Sequence, residues 1–158
     1  VKRPHRAGVT LMEMTIVMAL VALLAGVSFP AITAGLDTIR LNAAVGSIAS
    51  FFNGALNRAD RRQQPIEIVI LPEKGRLELY SNEPGYAREL VIPEGVVIEA
   101  ILPKIADEPD HAPRRLVVMP GGTPPAIGLQ LASRKGVRKI VRLDPMTGVP
   151  HVENAPRP

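Results

Sequence analysis

The stretch GVTLMEMTIVMALVALLAGVSFP, residues 8–30, decides how the rest of the chain is read. Lys2, Arg3 and Arg6 precede it, Glu13 sits in its apolar opening, and no further charge follows until Asp37. A bilayer core about 30 Å thick is crossed by about 20 mostly apolar residues in a helix rising about 1.5 Å per residue. The uncharged run 14–36 meets that length. Three cations with no acid among them hold the N-terminus in the cytoplasm, so the chain beyond residue 36 is expected on the far side of the membrane.

Glu13 stands out within this segment. A carboxylate at the centre of a bilayer costs about 2.5–3.5 kcal/mol, and less nearer the interface. No nearby residue of the helix is basic, so the group either reaches back to the headgroups, lies just outside a slightly later span, or finds a partner elsewhere.

Gly8 followed by Val9-Thr10-Leu11-Met12-Glu13, then an apolar helix with a proline at Pro30, resembles the class III signal of type IV pilins and type II secretion pseudopilins. The resemblance implies that a prepilin peptidase cuts between Gly8 and Val9 and that Val9 becomes the N-methylated residue. It further implies that Glu13 pairs with the terminal amine of a neighbouring subunit during assembly. Val9 stands where the family most often has phenylalanine, and Met12 where it has isoleucine or leucine.

The 158 residues allow one modest globular domain beside the helix. Its core must come mainly from Val, Ile and Leu, because the chain has no Trp, three Phe and two Tyr. With no cysteine, disulfides and thiolate metal sites are excluded. The net charge of +4 loses three with Lys2, Arg3 and Arg6, and the remaining +1 is weak support for a polyanionic partner.

Beyond the span, Leu41, Val45, Ile48, Phe52, Leu56 and Ala59 recur at three and four, with Ala44 and Ala55 beside them. Asp37, Arg40, Asn53, Asn57 and Asp60 fall largely off that stripe, which is the period of an amphipathic helix. The spacing predicts one long helix, bent near Pro30, its first half in lipid and its second half packed on a globular domain. Two separate helices are the alternative. Gln63-Gln64-Pro65 ends the pattern.

After Pro65 the period becomes two. Segments 66–71 and 76–80 flank Pro72-Glu73-Lys74-Gly75 as a hairpin. Further strands are expected at 89–92, 96–102, 116–119, 127–132, 137–143 and 149–153, punctuated by Pro, Gly, Asn and Asp. Many short strands without intervening helices predict an antiparallel sheet or sandwich, and the class is α+β. The expected organisation is a leader at 1–8, a membrane or filament-core helix at 9–36, its amphipathic continuation at 37–64 and a β-rich domain at 65–158.

That order again resembles the pilin family. The segments 40–44, 56–59 and 64–66, with Lys139-Ile140-Val141-Arg142-Leu143-Asp144-Pro145-Met146-Thr147-Gly148, are similar to the H-type minor pseudopilins of type II secretion. The related T-type minor pilins share the layout.

Catalytic chemistry finds no foothold in these residues. His5, His111 and His151 stand apart, with no metal-ligand spacing. Pro120-Gly121-Gly122-Thr123 lacks the Lys-Ser/Thr of a phosphate loop and is read as a turn. No Gly-x-Ser-x-Gly elbow is present. Asp107-Glu108-Pro109-Asp110-His111 lacks a spaced calcium loop and is read as a solvated acidic loop. No enzyme activity, cofactor or metal is expected.

Arg134, Lys135, Arg138, Lys139 and Arg142 place five positive charges within nine residues. They are the candidate contacts for a polyanion through phosphates. On a strand Arg138 and Arg142 would share one face while Lys139 points to the other, and no aromatic residue among them offers a stacking platform. Nucleic acid is therefore not the expected partner. The stretch 73–110 is acidic on balance, so charge complementarity between adjacent subunits accounts for the same residues. Ala22 and Gly26, one turn apart, would let helices approach closely.

The expected function is a structural minor pseudopilin supporting protein export across the outer membrane of a bacterium. It would sit in the inner membrane with its C-terminal domain periplasmic, and enter a filament. The expected partners are other pilin-like subunits, the prepilin peptidase and methylase, and an inner-membrane assembly platform. A type IV pilus minor pilin serving adhesion or DNA uptake is the alternative. A basic segment before an apolar run also describes an ordinary secretory signal, cut near residues 31–35, which would leave a plain exported domain.

Overall fold

The computed structural model describes residues 10–83, 85–106 and 108–155, with the side chains of residues 29–34 set aside. It divides into two compact units, Val1–Leu36 and Asp37–Pro158. One helix, α1 (Leu11–Arg62), is followed by eight strands: β1 (Ile66–Leu71), β2 (Arg76–Ser81), β3 (Ala87–Val91), β4 (Val96–Leu102), β5 (Arg114–Val118), β6 (Gly128–Ser133), β7 (Arg138–Leu143) and β8 (Pro150–Asn154). The α+β expectation holds. The predicted kink at Pro30 falls on a side chain outside the described residues.

In the first unit, Thr10 immediately precedes α1, and its Oγ1 accepts the Glu13 backbone N–H at 3.2 Å. Thr10 thus takes the cap position and Glu13 the third helical position, the Thr-x-x-Glu spacing of a capping box. A carboxylate in the first turn also suits the positive end of the helix dipole. Residues Leu11–Ser28 are long and apolar enough to cross a membrane, and Leu11, Met18, Leu23 and Val27 are exposed.

In the second unit, residues 37–62 of α1 bury one stripe. Leu41, Ile48, Phe52, Ala55 and Ala59 are fully buried and share one core with both sheets. This is the stripe the three-and-four spacing predicts. The helix stops at Gln63, which takes a positive φ of 50°, just before Pro65.

The strands form two four-stranded antiparallel sheets, ordered β3-β2-β1-β5 and β4-β6-β7-β8. In the first, Ile66, Ile68 and Ile70 alternate inward and face Leu77 and Leu79 from β2 and Val118 from β5. The predicted hairpin at 72–75 is present, and Gly75 supplies the positive φ of 59° that such a turn favours. In the second sheet the register shifts between Ile98 and Ala100. The extra residue is Glu99. This bulge resets the alternation, so Ile98 and Ile101 both reach the core while Glu99 turns to the outer face. Observed strand ends lie close to those expected; the larger differences are at β3, which opens at Ala87 rather than residue 89, and β5, which opens at Arg114 rather than residue 116.

Candidate functional site

Gly8 and Val9, the expected cleavage and methylation positions, lie outside the described residues. Glu13 is exposed in the first turn of α1 and its backbone is held by Thr10. The Thr10-x-x-Glu13 spacing by itself signals a helix start. Around and beyond it, the side chains described between residues 11 and 28 present apolar surface that nothing in the unit covers. A helix apolar on all sides requires lipid or other helices around it.

The basic run of residues 134–142 divides by strand parity. Arg138 lies on the outer face of β7, where its Nε and Nη2 donate to the two carboxylate oxygens of Glu99 at 2.7 and 2.9 Å. Gln130 donates to the same carboxylate at 2.8 Å. The Arg138 guanidinium, then the Gln130 amide, hold the Glu99 carboxyl below the usual range, and the Glu99 carboxylate in turn raises Arg138. Lys139 points to the opposite face and donates to Asn42 Oδ1 of α1 at 2.7 Å. Arg142 shares the outer face with Arg138 and lies 4.0 Å from Glu153 on the neighbouring β8. Arg134 and Lys135 are exposed in the turn before β7, and neither has an ion pair among the described residues. The five cations therefore do not converge on one free surface.

The other loops have structural partners. Glu108 accepts from Arg114 at 2.9 Å and Asp110 from Lys104 at 2.8 Å, while Asp107 lies outside the described residues. In the Pro120-Gly121-Gly122 turn, the Gly121 N–H donates to Asp60 Oδ1 at 2.9 Å and ties the turn to α1. Asp144 Oδ1 accepts the N–H groups of Met146 and Thr147, which hold its carboxyl below the usual range. His151 lies 3.7 Å from Asp144. Among the described residues no group of three His, Cys, Asp or Glu side chains is placed to hold a metal ion.

A second cationic cluster was not legible as a cluster. Arg58, Arg61 and Arg62 of α1 face Tyr86 and Arg88 across a cleft of about 570 Å³. The Arg58 guanidinium stacks over the Tyr86 ring, 3.2 Å from its centre, and pairs with Glu83. Arg62 lies 3.7 Å from the other Glu83 oxygen. The i, i+3, i+4 spacing of the helix arginines was visible in sequence; the arrival of Arg88 from β3 was not.

Residues 3–29 match the family model of the prokaryotic N-terminal methylation motif. No curated protein and no solved structure matches the chain.

Proposed function

We infer that this chain, which carries a type IV pilin-like N-terminal methylation signal, is a structural minor pseudopilin of a type II secretion system. The motif match over residues 3–29 carries the reading, and the uncovered apolar surface of residues 11–28 agrees with it. In this account the chain enters the inner membrane with its N-terminus cytoplasmic and is cut after Gly8. Val9 then receives the methyl group, and the subunit is extracted into a filament where apolar helices bury one another. Glu13 pairs there with the terminal amine of an adjacent subunit, which neutralises a carboxylate that hydrocarbon would penalise. The work of such a subunit is mechanical and needs no catalytic centre. The choice of secretion over a pilus rests on the likeness of residues 40–66 and 139–148 to H-type minor pseudopilins.

The pilus reading would draw on the exposed Arg134, Lys135 and Arg142 as phosphate contacts. The engagement of Arg138 by Glu99 and of Lys139 by Asn42 weighs against it.

The test is the intact mass and N-terminal sequence of the protein extracted from its native membranes. A chain that begins at N-methylated Val9 is the expected result. A chain that begins beyond residue 31 would make this an ordinary exported domain and remove the roles given to Gly8, Val9 and Glu13.

A further inference from the structure

The surface beside β3 combines three features that no part of the filament account uses. The first is a free strand edge. β3 pairs only with β2, and Ile92, just past its end, donates its N–H to the Gly75 carbonyl at 2.8 Å. In an antiparallel pair the residues facing the partner alternate. Residues 88, 90 and 92 therefore bond toward β2, while Ala87, Glu89 and Val91 turn their N–H and C=O groups outward. Those groups have no partner among the described residues.

The second feature is room. A cavity of about 580 Å³ runs between β3 and Ala43, Gly46, Ser47, Ser50 and Phe51 of α1; Glu89, which also lines it, is paired with Arg76 at 2.9 Å. Exposed edges are usually blunted by a covering element or a bulge; here α1 presents mostly small residues beside Phe51.

The third feature is charge. Arg88 lines both this cavity and the adjoining cleft of Arg58, Arg61 and Arg62. Glu83 is shared by Arg58 and Arg62, whereas Arg61 and Arg88 have no ion pair among the described residues. Two guanidinium forks are left for carboxylates, which they bind in a planar, two-pronged fashion.

The geometry points to a strand-docking groove: an extended segment of a partner protein, rich in closely spaced carboxylates, adds to the free edge of β3 and places its acids on Arg61 and Arg88. Main-chain pairing supplies affinity and the arginines supply selectivity, the usual division in strand addition. A nucleic acid strand fits less well. It has no alternating N–H and C=O groups to match Ala87, Glu89 and Val91, and Arg58 already covers one face of the Tyr86 ring. The groove lies within the second unit, so it does not depend on how the N-terminus is processed.

The test uses the full chain in nonionic micelles and a short fluorescein-labelled peptide alternating threonine and glutamate, read by anisotropy. Saturable binding is expected, weakened about tenfold or more in the Arg61→Glu, Arg88→Glu double variant. The same peptide with glutamine for glutamate, or with alternate amides N-methylated, should lose a similar factor on the wild-type protein. These two peptide arms need no variant and so survive any folding defect in the double variant. Undiminished binding of the N-methylated peptide would overturn strand addition, and undiminished binding of the glutamine peptide would overturn the role of the arginines. A thymidine oligonucleotide held more tightly than the peptide, and lost in the double variant, would reassign the cleft to nucleic acid.

Discussion

Glu99→Gln should destabilise the globular unit by about 1 kcal/mol at neutral pH and, in the same stroke, release a cation. The wild-type carboxylate accepts two bonds from Arg138, at 2.7 and 2.9 Å, and one from Gln130 at 2.8 Å. Bonds to charged groups contribute about 1.5–3 kcal/mol each when shielded. Here both partners are about a third exposed, 34% for Glu99 and 29% for Arg138, and solvent screening cuts the gain sharply. The amide oxygen of the glutamine still accepts one bond, which brings the loss to about 1 kcal/mol. For a domain of this size that is a shift of about 0.5 M in the urea midpoint, measurable by far-UV circular dichroism of the full chain in nonionic micelles. The pH dependence gives the sharper check. Because the Glu99 carboxyl is held below its ordinary value by Arg138 and Gln130, its contribution is present above the unfolded value of about 4.3 and fades as pH falls through the lowered folded one. The wild type and the variant should therefore converge in acid. A gap that stays constant from neutral pH into acid would refute the ion pair as the cause. Affinity for a single-stranded oligonucleotide supplies the functional readout: it should rise in Glu99→Gln, where Arg138 is freed beside Arg142, and stay unchanged in Arg138→Gln.

Three further outcomes are expected. Gly8→Ala should be processed better than Gly8→Val in native membranes, since the peptidase must fit the residue before the cut; equal cleavage of both on immunoblots would count against that assignment. Glu13→Ala and Glu13→Gln should both insert normally yet fail to crosslink to neighbouring pilin-like subunits. Glutamine also serves at the third position of a capping box, so the second variant keeps a cap worth about 1 kcal/mol in such motifs; wild-type crosslinking by Glu13→Gln would reduce Glu13 to a helix cap. Phe52→Ala removes a fully buried side chain at the junction of α1 and the sheets and should cost about 3–5 kcal/mol in urea denaturation; a loss under about 1 kcal/mol would contradict the packing.

What could be read from the sequence follows the range of each signal. The burial of Leu41, Ile48 and Phe52 was visible because helical periodicity is local, and the 66–80 hairpin because Gly75 sits where a turn needs a positive φ. Glu99 gave no such sign. Its partner lies 39 residues away, and simple alternation from Ile98 would have sent Ala100, not Ile101, to the core. The bulge exists because two isoleucines three apart both need burial, and its by-product is a carboxylate turned outward at the height of Arg138. The Thr10-x-x-Glu13 spacing is equally local and marks a helix start whether or not the carboxylate lies in lipid.

Cationic residues in this chain illustrate how contiguity in sequence and convergence in space part company. The run 134–142 is dense in sequence, yet strand period two sends Lys139 to Asn42 on one side and Arg138 to Glu99 on the other. Arg58, Arg61 and Arg62 are fewer, with Asp60 among them, yet helical spacing puts all three in one cleft while Asp60 bonds the Gly121 turn. Arg88 joins them only because β3 lies alongside α1. An acidic partner would thus meet two guanidinium groups without an ion pair among the described residues, Arg61 and Arg88, beside one strand edge, and loss of binding on changing Arg138 alone would be the observation least compatible with this arrangement.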